Sequence, residues 1–443
     1  MKKLLLLCFI AFVSSTVFGQ QKQWTLQECI TYALDNNITI QQSEIALLNA
    51  SIDKSDAVGT FLPTINGSAT VSENTGLSFN PVTNQPQTVT TLNATGGLNF
   101  GYTLFDGLRN IRQLQRADLS KVAAEFNLSK AKDDIALLVA NAFLDIILNK
   151  ENLKTVTAQN KTTLEQIDRT QELVDGGVLP RGDLLEIKAT AASERQSIVA
   201  AENALILSKI NLAQLLAVEN YRDFDVTDNE YNVFGDEIVD KPIDEIIDSA
   251  KENRFEVKIA DQNLELAKKD LQISKGARLP TLSAFFGYDT RYSTNDFINI
   301  PFTTQLSEND GIRYGLSLNV PILNGFAARN GVKRSKLNVE NNKILVNQAK
   351  LDLESTVYQS YTAVKASRES YAAAKVALES QELAYQYAKD RYDVGLTNAF
   401  DFSQSKLRYN NAQIELTRSK YDYIFRIKVL ELYFGVSATE LKF

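Results

Sequence analysis

The chain has 443 residues, of which 44% are apolar and 23% are charged, so it can fold into a large core or two to three domains. Its formal net charge is −7, and an acidic chain lacks the basic surface that a phosphate backbone selects, which argues against nucleic acid as a partner. The chain contains no histidine, the commonest general base near neutral pH and the commonest metal ligand, and this weighs against an enzyme or a metal site.

The first residues have the pattern of an export signal. Two lysines are followed by an apolar run at 4–13, and compact residues precede an expected cleavage before Gln20. The alternative, a membrane anchor helix, requires about 20 apolar residues, and this run is shorter. We therefore predict a signal peptide at 1–19, whose removal takes Cys8 with it and leaves Cys29 as the single thiol.

Long stretches without glycine or proline predict long helices. These stretches are rich in Ala, Leu, Glu, Lys and Gln, which are good helix formers, and two of them exceed 60 residues. At ~1.5 Å per residue, each of those two would be roughly 95–100 Å long, as in coiled coils and periplasmic conduits. The predicted helical segments are 24–58, 108–175, 183–234 with its helix ending near Asn220, 243–275, 332–394 and 396–434.

Four other segments alternate between apolar and polar residues, which predicts strands with one apolar face. They are joined in pairs by polar segments at 73–90 and 290–311, which we predict to be exposed loops. The alternation fits membrane-spanning strands, and it equally fits a half-buried sheet in a soluble α+β domain. The predicted strands are 64–72, 92–104, 281–289 and 312–322.

The chain contains an internal duplication, because landmarks recur at a nearly constant offset. The Leu-Pro-Thr run at 62–64 recurs at 279–281, an offset of 217 residues, and Gly177 recurs as Gly395, an offset of 218. Each half runs helix, strand, loop, strand, very long helix, tight turn, helix. The predicted organisation is a first repeat at 20–218, a connecting segment at 219–242 and a second repeat at 243–443.

The last helix of each half carries an apolar residue at every seventh position, which predicts a coiled-coil seam. Each half also supplies two strands, and four strands are too few to close a barrel, for which about eight is the lower limit. If the strands span a membrane, several chains must share one barrel. The seam positions are Leu184, Ala191, Ile198, Leu205 and Leu212, then Phe402, Tyr409, Leu416, Tyr423 and Leu430.

These features together resemble the TolC family of outer-membrane efflux proteins across the whole mature length. The matching motifs open the first helix, enter the first strand, leave the second strand of each half and form the helical turns. In chain order they lie at 24–29, 62–63, 105–107, 177–185, 323–325 and 392–401.

The resemblance implies an α+β membrane protein in which three chains each contribute four transmembrane strands to one twelve-stranded barrel. The long helices would form a hollow α-barrel in the periplasm of a Gram-negative bacterium. The expected role is the exit duct of a tripartite efflux pump, without catalytic residues, metal or cofactor. The implied partners are two further copies of the chain, a periplasmic adaptor protein, an inner-membrane pump and the outer-membrane lipid.

The two helical turns are the expected periplasmic tip, where glycine relieves the left-handed conformation that ends a helix. In the family this tip is the gate and the adaptor contact, although a plain helix-hairpin turn is the alternative for both segments. The docking candidates are Gly176, Gly177, Val178 and Leu179 in the first turn, and Val394, Gly395, Leu396 and Thr397 in the second.

Acidic residues after the turns are the candidate constriction. Three copies of Asp183 or Asp401 near a trimer axis would form a carboxylate ring that favours cations. The alternative is a helix capping box in each repeat, with Glu186 or Gln404 three residues after the aspartate. The two roles are compatible.

The resemblance also implies a gate tyrosine, Tyr392, that holds the tip closed through a hydrogen bond. The sequence departs from the family where Asn398 replaces a gate arginine and Gln404 replaces the innermost aspartate. Glu186, the repeat counterpart of Gln404, would then supply the negative charge.

Other functions remain as alternatives. A type I protein secretion duct would use a similar channel, and the cargo would be chosen by the pump. A periplasmic coiled-coil scaffold or adaptor explains the helices but not four alternating strands at duplicated positions. A carboxylate-based hydrolase finds no support, because the acidic residues follow the spacing of solvated helix surfaces.

Overall fold

The computed structural model describes residues 23–79, 84–219, 221–227, 233, 236–294 and 300–436. The predicted signal peptide at 1–19, including Cys8, lies outside the described residues. Among the described residues, no helix is both long enough and apolar enough to cross a bilayer.

Over the ranges that the structure describes, the secondary structure repeats its order in the two halves, as the duplicated landmarks predict, except for the short helix α7 in the second half. The first half consists of β1 Gln23–Trp24, α1 Leu26–Asn36, α2 Ile38–Gly59, β2 Thr64–Phe79, β3 Pro86–Phe105, α3 Arg109–Asp175 and α4 Arg181–Leu215. The second half follows as β4 Asp225–Val226, α5 Ile243–Asn253, α6 Phe255–Gly276, β5 Thr281–Ser293, α7 Phe302–Glu308, β6 Gly311–Asn319, α8 Ala327–Asp393 and α9 Ala399–Phe434. The two very long helices, α3 and α8, have 67 residues each.

The chain divides into two compact units, and each takes segments from both halves. The first unit contains Asn127–Lys258 together with the segments up to Glu44 and from Ala349 onward. The second unit consists of Ile45–Phe126 and Ile259–Gln348 and contains the larger sheet.

The prediction of one continuous helix at 24–58 is wrong, because the helix breaks at Asn37. That residue has extended backbone angles, and its side-chain Oδ1 accepts hydrogen bonds from the backbone N–H groups of Thr39 and Ile40, which caps α2. Its Nδ2 donates to the carbonyl of Leu215 at 2.8 Å. A break at a single residue does not interrupt the helical spacing of the apolar residues, so the sequence pattern gave no sign of the break.

The prediction of one helix at 243–275 is wrong for the same reason, and the break falls at Arg254, the repeat counterpart of Asn37. The buried guanidinium of Arg254 donates to both carboxylate oxygens of Glu256, at 2.8 and 3.1 Å, and to Asp133 at 3.4 Å. Burial raises the pKa of Glu256, but the hydrogen bonds from Arg254 outweigh it and hold that pKa below its ordinary value. The duplicated break is thus kept by different chemistry in the two halves.

The larger sheet has the order β2-β3-β5-β6 and is antiparallel throughout. Its central pairing joins the hairpin of the first half to that of the second, with Phe100 opposite Phe286. Within the described residues, β2 and β6 pair with a neighbour on one side only, so both lateral edges of the sheet are open in a single chain.

The predicted loop at 73–90 is largely strand. β2 and β3 stay in register from Thr64 opposite Gly101 to Phe79 opposite Pro86. Residues 73–76 carry no large apolar side chain on either face, and the hydroxyls of Thr75 and Thr90 meet there at 2.9 Å, so the apolar alternation is interrupted before it returns at Leu77 and Phe79.

The second predicted loop, at 290–311, also contains regular structure. β5 continues to Ser293, and α7 follows within the segment. The side chain of Gln305 is only 3% exposed and bonds the backbone N–H and carbonyl of Ser293, which ties α7 to the end of β5. The fourth predicted strand ends at Asn319 rather than at 322, two residues before Pro321.

The predicted heptad seam faces the interior. None of its ten positions is exposed, and Leu212, Phe402 and Leu430 are fully buried. The main core of the first unit gathers Phe143 and Ile146 of α3 and Ile424 of α9 around Cys29, which is itself buried.

A charged cluster fixes the short parallel pair β1–β4 in the first unit. The Oδ1 of Asp225 lies 2.9 Å from the Nζ of Lys150 and 3.0 Å from that of Lys209. Lys150 also donates to the carbonyl of Val226 at 2.6 Å. Burial raises the pKa of Asp225, but the hydrogen bonds from both lysines and from the Val226 N–H outweigh it, so the pKa lies below its ordinary 3.8.

We expect Asp225→Asn to lower the free energy of unfolding by about 1.5–3 kcal/mol at pH 7, the usual value of hydrogen bonds to a charged group. A depressed carboxylate pKa contributes stability above the unfolded pKa that is lost as the pH falls through the folded pKa. The difference between variant and parent should therefore be constant above about pH 5 and shrink below about pH 4. Thermal unfolding in detergent across this range tests it, with Asp248→Asn, at an exposed position of the same unit, as the control. An equal loss for both variants would contradict the assignment.

Candidate functional site

The two hairpin turns have the same backbone geometry, as the duplication predicts. Gly177 and Gly395 adopt φ values of +73° and +75°. The N–H of Val178 donates to the carbonyl five residues earlier at 2.9 Å, and the N–H of Leu396 does so at 2.8 Å. A β-carbon at Gly177 would meet no atom within 4 Å, so the left-handed backbone and not crowding requires glycine there.

The predicted docking residues of the two turns separate into exposed and buried groups. The side chains of Val178, Val394 and Leu396 are all more than 60% exposed, Gly176 is exposed, and Thr397 is half-buried. Leu179 is only 9% exposed, so its place in the predicted docking surface is wrong: it packs inward and supports the turn. We call the segments Gly176–Pro180 and Val394–Asn398 the tip.

An apolar cluster lies directly behind the tip and joins the two halves of the chain. It contains Leu179 and Ile187 from the first half and Tyr392 and Phe402 from the second. The ring of Tyr392 stacks on that of Phe402 with centroids 4.9 Å apart. The turns of the two repeats are therefore fixed to each other within one chain.

The predicted gate residue Tyr392 makes a buried hydrogen bond across the two repeats. Its hydroxyl lies 2.9 Å from the Oγ1 of Thr170 on α3, and both side chains are buried. Burial raises the pKa of Tyr392 above its ordinary value, so the phenol is neutral and able to donate at any physiological pH. The sequence did not indicate Thr170 as its partner.

The capping box predicted at Asp183 and Asp401 is wrong, because both residues lie at the third position of their helices. α4 begins at Arg181 after Pro180, which supplies no side-chain cap. α9 is capped by Asn398, whose Oδ1 accepts the Asp401 N–H at 2.8 Å. Both aspartates instead lie in the first turn of their helix, where a negative charge interacts favourably with the positive end of the helix dipole.

Asn398, which the resemblance places where the family has a gate arginine, has a local structural role. It caps α9, and its Nδ2 donates to the carboxylate of Asp401 at 3.2 Å. Asp183 is half-buried and Asp401 is exposed in the single chain.

Glu186 and Gln404 lie on the same cavity, which has a volume of about 580 Å³ between α3, α4 and α9. Glu186 is exposed and Gln404 is half-buried at its wall. The cavity also adjoins an ion pair between Glu194 and Lys406 that the sequence analysis did not identify. Lys406 follows the seam residue Phe402 by four positions, so a lysine on the inward face of α9 was the signal that could have revealed it.

The comparisons with known proteins agree with this architecture. A model described as outer membrane efflux protein matches residues 29–218 and 246–435. Outer membrane protein TolC of Vibrio cholerae is 24% identical over 442 residues, which is 98% of this chain and 94% of that protein.

Solved structures show the same fold. The Campylobacter jejuni CmeC outer membrane channel has a TM-score of 0.79 at 18% identity, covering 93% of this chain and 85% of that one. The outer membrane protein VceC of Vibrio cholerae has a TM-score of 0.76 at 17% identity, covering 93% and 96%. The family match covers most of the chain in two segments. The chain therefore belongs to the outer membrane efflux protein family, and its location is the outer membrane.

Proposed function

We propose that this chain is one of three subunits of an outer-membrane channel that serves as the exit duct of a tripartite efflux pump. The observation that carries the proposal is the four-stranded sheet with two open edges and one apolar face. Along β6 every second side chain is apolar and exposed, with Ile312 at 61%, Tyr314 at 80%, Leu316 at 67% and Leu318 at 65%.

An exposed apolar face of this kind needs a cover, and open strand edges need partners. Lipid supplies the cover for outward side chains, and identical sheets of other copies supply the edges. Four strands cannot close a barrel, whereas three copies would give twelve. The family membership and the solved channel structures of the same fold support this assembly.

The tip supports the second part of the proposal, docking to a periplasmic adaptor. Val178, Val394 and Leu396 expose apolar side chains around two rigid turns, and the cluster behind them keeps the turns together. Such a surface fits the apolar contacts of a partner helix hairpin. The duct itself needs no reaction, only a closable passage.

Single-channel recording in a planar bilayer tests the proposal directly. We expect the purified protein to have the mass of three chains in detergent and to give discrete, cation-preferring steps. A monomer that stays in the soluble fraction and never conducts would contradict it.

The face of β6 provides a sharper prediction. We expect Leu316→Arg to strongly reduce recovery of the protein in the outer membrane, because an arginine on the lipid face near the midplane costs about 2–4 kcal/mol. Ser317→Arg is the matched control on the opposite face and should assemble normally. Heat-modifiable trimer bands in outer-membrane fractions measure both, and equal recovery of the two variants would overturn the assigned lipid face.

If the tip docks an adaptor, a substitution on its exposed surface should abolish efflux in cells without changing the conductance of the isolated channel. We expect Leu396→Glu to leave trimer mass and conductance unchanged while abolishing efflux in cells that lack the parental copy, because a carboxylate disrupts an apolar docking contact. Efflux of a fluorescent dye by such cells is the measurement. Unchanged efflux would show that this side chain is not part of the docking surface.

The buried contact of Tyr392 predicts an effect on closure. Tyr392→Phe removes the hydroxyl that meets Thr170 and keeps the stack on Phe402, so the closed tip loses about 1 kcal/mol and the open fraction rises up to about fivefold. Tyr409→Phe is the matched control, because its hydroxyl bonds Gln413 on the same helix. Single-channel open fractions that rise equally in both variants would contradict a gating role for Tyr392.

A further inference from the structure

A buried lysine joins three helices one turn above the apolar cluster of the tip. Lys406 of α9 is 4% exposed. Its Nζ lies 3.1 Å from the carboxylate of Glu194 on α4 and 3.0 Å from the carbonyl of Gln159 on α3. It also contacts the hydroxyl of Thr163 on α3. We call Lys406, Glu194 and Thr163 the polar seam.

The polar seam crosses the boundary between the two repeats. α9 comes from the second half of the chain, whereas α3 and α4 form the hairpin of the first half. The single hydroxyl proton of Thr163 can go to Glu194 or to the carbonyl of Gln159, and the Nδ2 of Asn160 reaches both Glu194 and the carbonyl of Ala191. Thr163 and Asn160 thus each have a partner that carries no charge, the carbonyls of Gln159 and Ala191.

Water can approach this layer from two sides. Lys406 lines the cavity of about 580 Å³ between α3, α4 and α9 and also a cleft of about 320 Å³ between α3, α8 and α9. Two buried atoms at the larger cavity, the Oδ1 of Asn152 and the Nε2 of Gln159, have no hydrogen-bond partner in the described part of the chain. A layer with unsatisfied polar atoms and open clefts is one that water enters readily.

The ion pair is not an efficient source of stability. Burial lowers the pKa of Lys406 below its ordinary value, and the attraction of Glu194 offsets this only in part. Burying two charges has a large desolvation free energy, and both charges regain their hydration when the helices separate. Apolar side chains in the same place would instead lose free energy on exposure to water.

We propose that the polar seam is the surface along which α9 separates from the α3–α4 hairpin when the tip opens, and that Lys406 and Glu194 are positioning residues that make this separation easy. The inference rests on the proposed function of the chain as a channel closed at its tip. In this role the pair does not act as a clamp. The two charges are paired but poorly solvated in the closed state, and they are better solvated in the open state, so they lower the free energy needed for opening.

A double-mutant cycle distinguishes the two roles. Lys406→Met and Glu194→Leu each leave one uncompensated charge in the closed layer, so each single variant should raise the single-channel open fraction at least about fivefold. The double variant removes both charges and leaves Thr163 and Asn160 with their other partners. We expect its open fraction to fall below that of the parent, again by at least about fivefold, and its thermal stability to equal or exceed the parent's.

A clamp predicts the reverse for the double variant, so an open fraction at or above the parent's would overturn the inference. Lys428→Met is the matched control: this buried lysine pairs with Glu431 three residues along the same helix, and we expect a parental open fraction. If the parent and all single variants insert but never conduct, the proposed channel itself fails, and the polar seam fails with it.

Discussion

The shared packing of α3, α4 and α9 is the contact on which the first unit depends. Val139 and Phe143 of α3, Leu212 of α4 and Ile424 of α9 belong to one buried cluster. Because α9 comes from the other half of the chain, this cluster is built by both repeats. The same joint packing holds the turns of the two halves side by side, where Tyr392 reaches across to Thr170.

The two halves keep the same backbone events while their side chains diverge. The break between the paired helices is held by an amide cap at Asn37 and by a buried ion cluster at Arg254. The helix after each turn starts at Pro180 without a side-chain cap and at Asn398 with one. The packing between the repeats thus fixes the same backbone positions in both halves, while the side chains at matching positions differ and make different contacts. This explains why the turn geometry is duplicated but the charges around the tip are not.

The sequence predicted the features that depend on periodicity and spacing: the long helices, the strand pairs, the duplication and the inward seam. It did not predict features set by single contacts. The apolar alternation of β2 is interrupted at residues 73–76, within the outer part of the β2–β3 hairpin, and α7 is a short helix fixed by Gln305. The caps were displaced by three residues because Pro180 and Asn398 start the helices, and Leu179 turned out to be buried. Lys406 lies four residues after the seam position Phe402, which places it on the inward face of α9, but its partner Glu194 on α4 could not be read from the sequence.

The layers behind the tip alternate in chemistry, and the alternation suits a contact that has to be both closed and separable. Phe402 and Tyr392 provide apolar closure, and the next turn of α9 brings the charged layer of Lys406. One turn further, the ring of Tyr409 stacks on that of Tyr385 with centroids 5.2 Å apart, which adds a second aromatic contact. If the whole interface were apolar, separating the helices would expose every apolar side chain to water at a cost in free energy. A polar layer between the aromatic contacts lowers that cost, while the aromatic contacts still define how the helices align in the closed state. The balance between the two kinds of layer, rather than any single bond, then sets how readily the helices part.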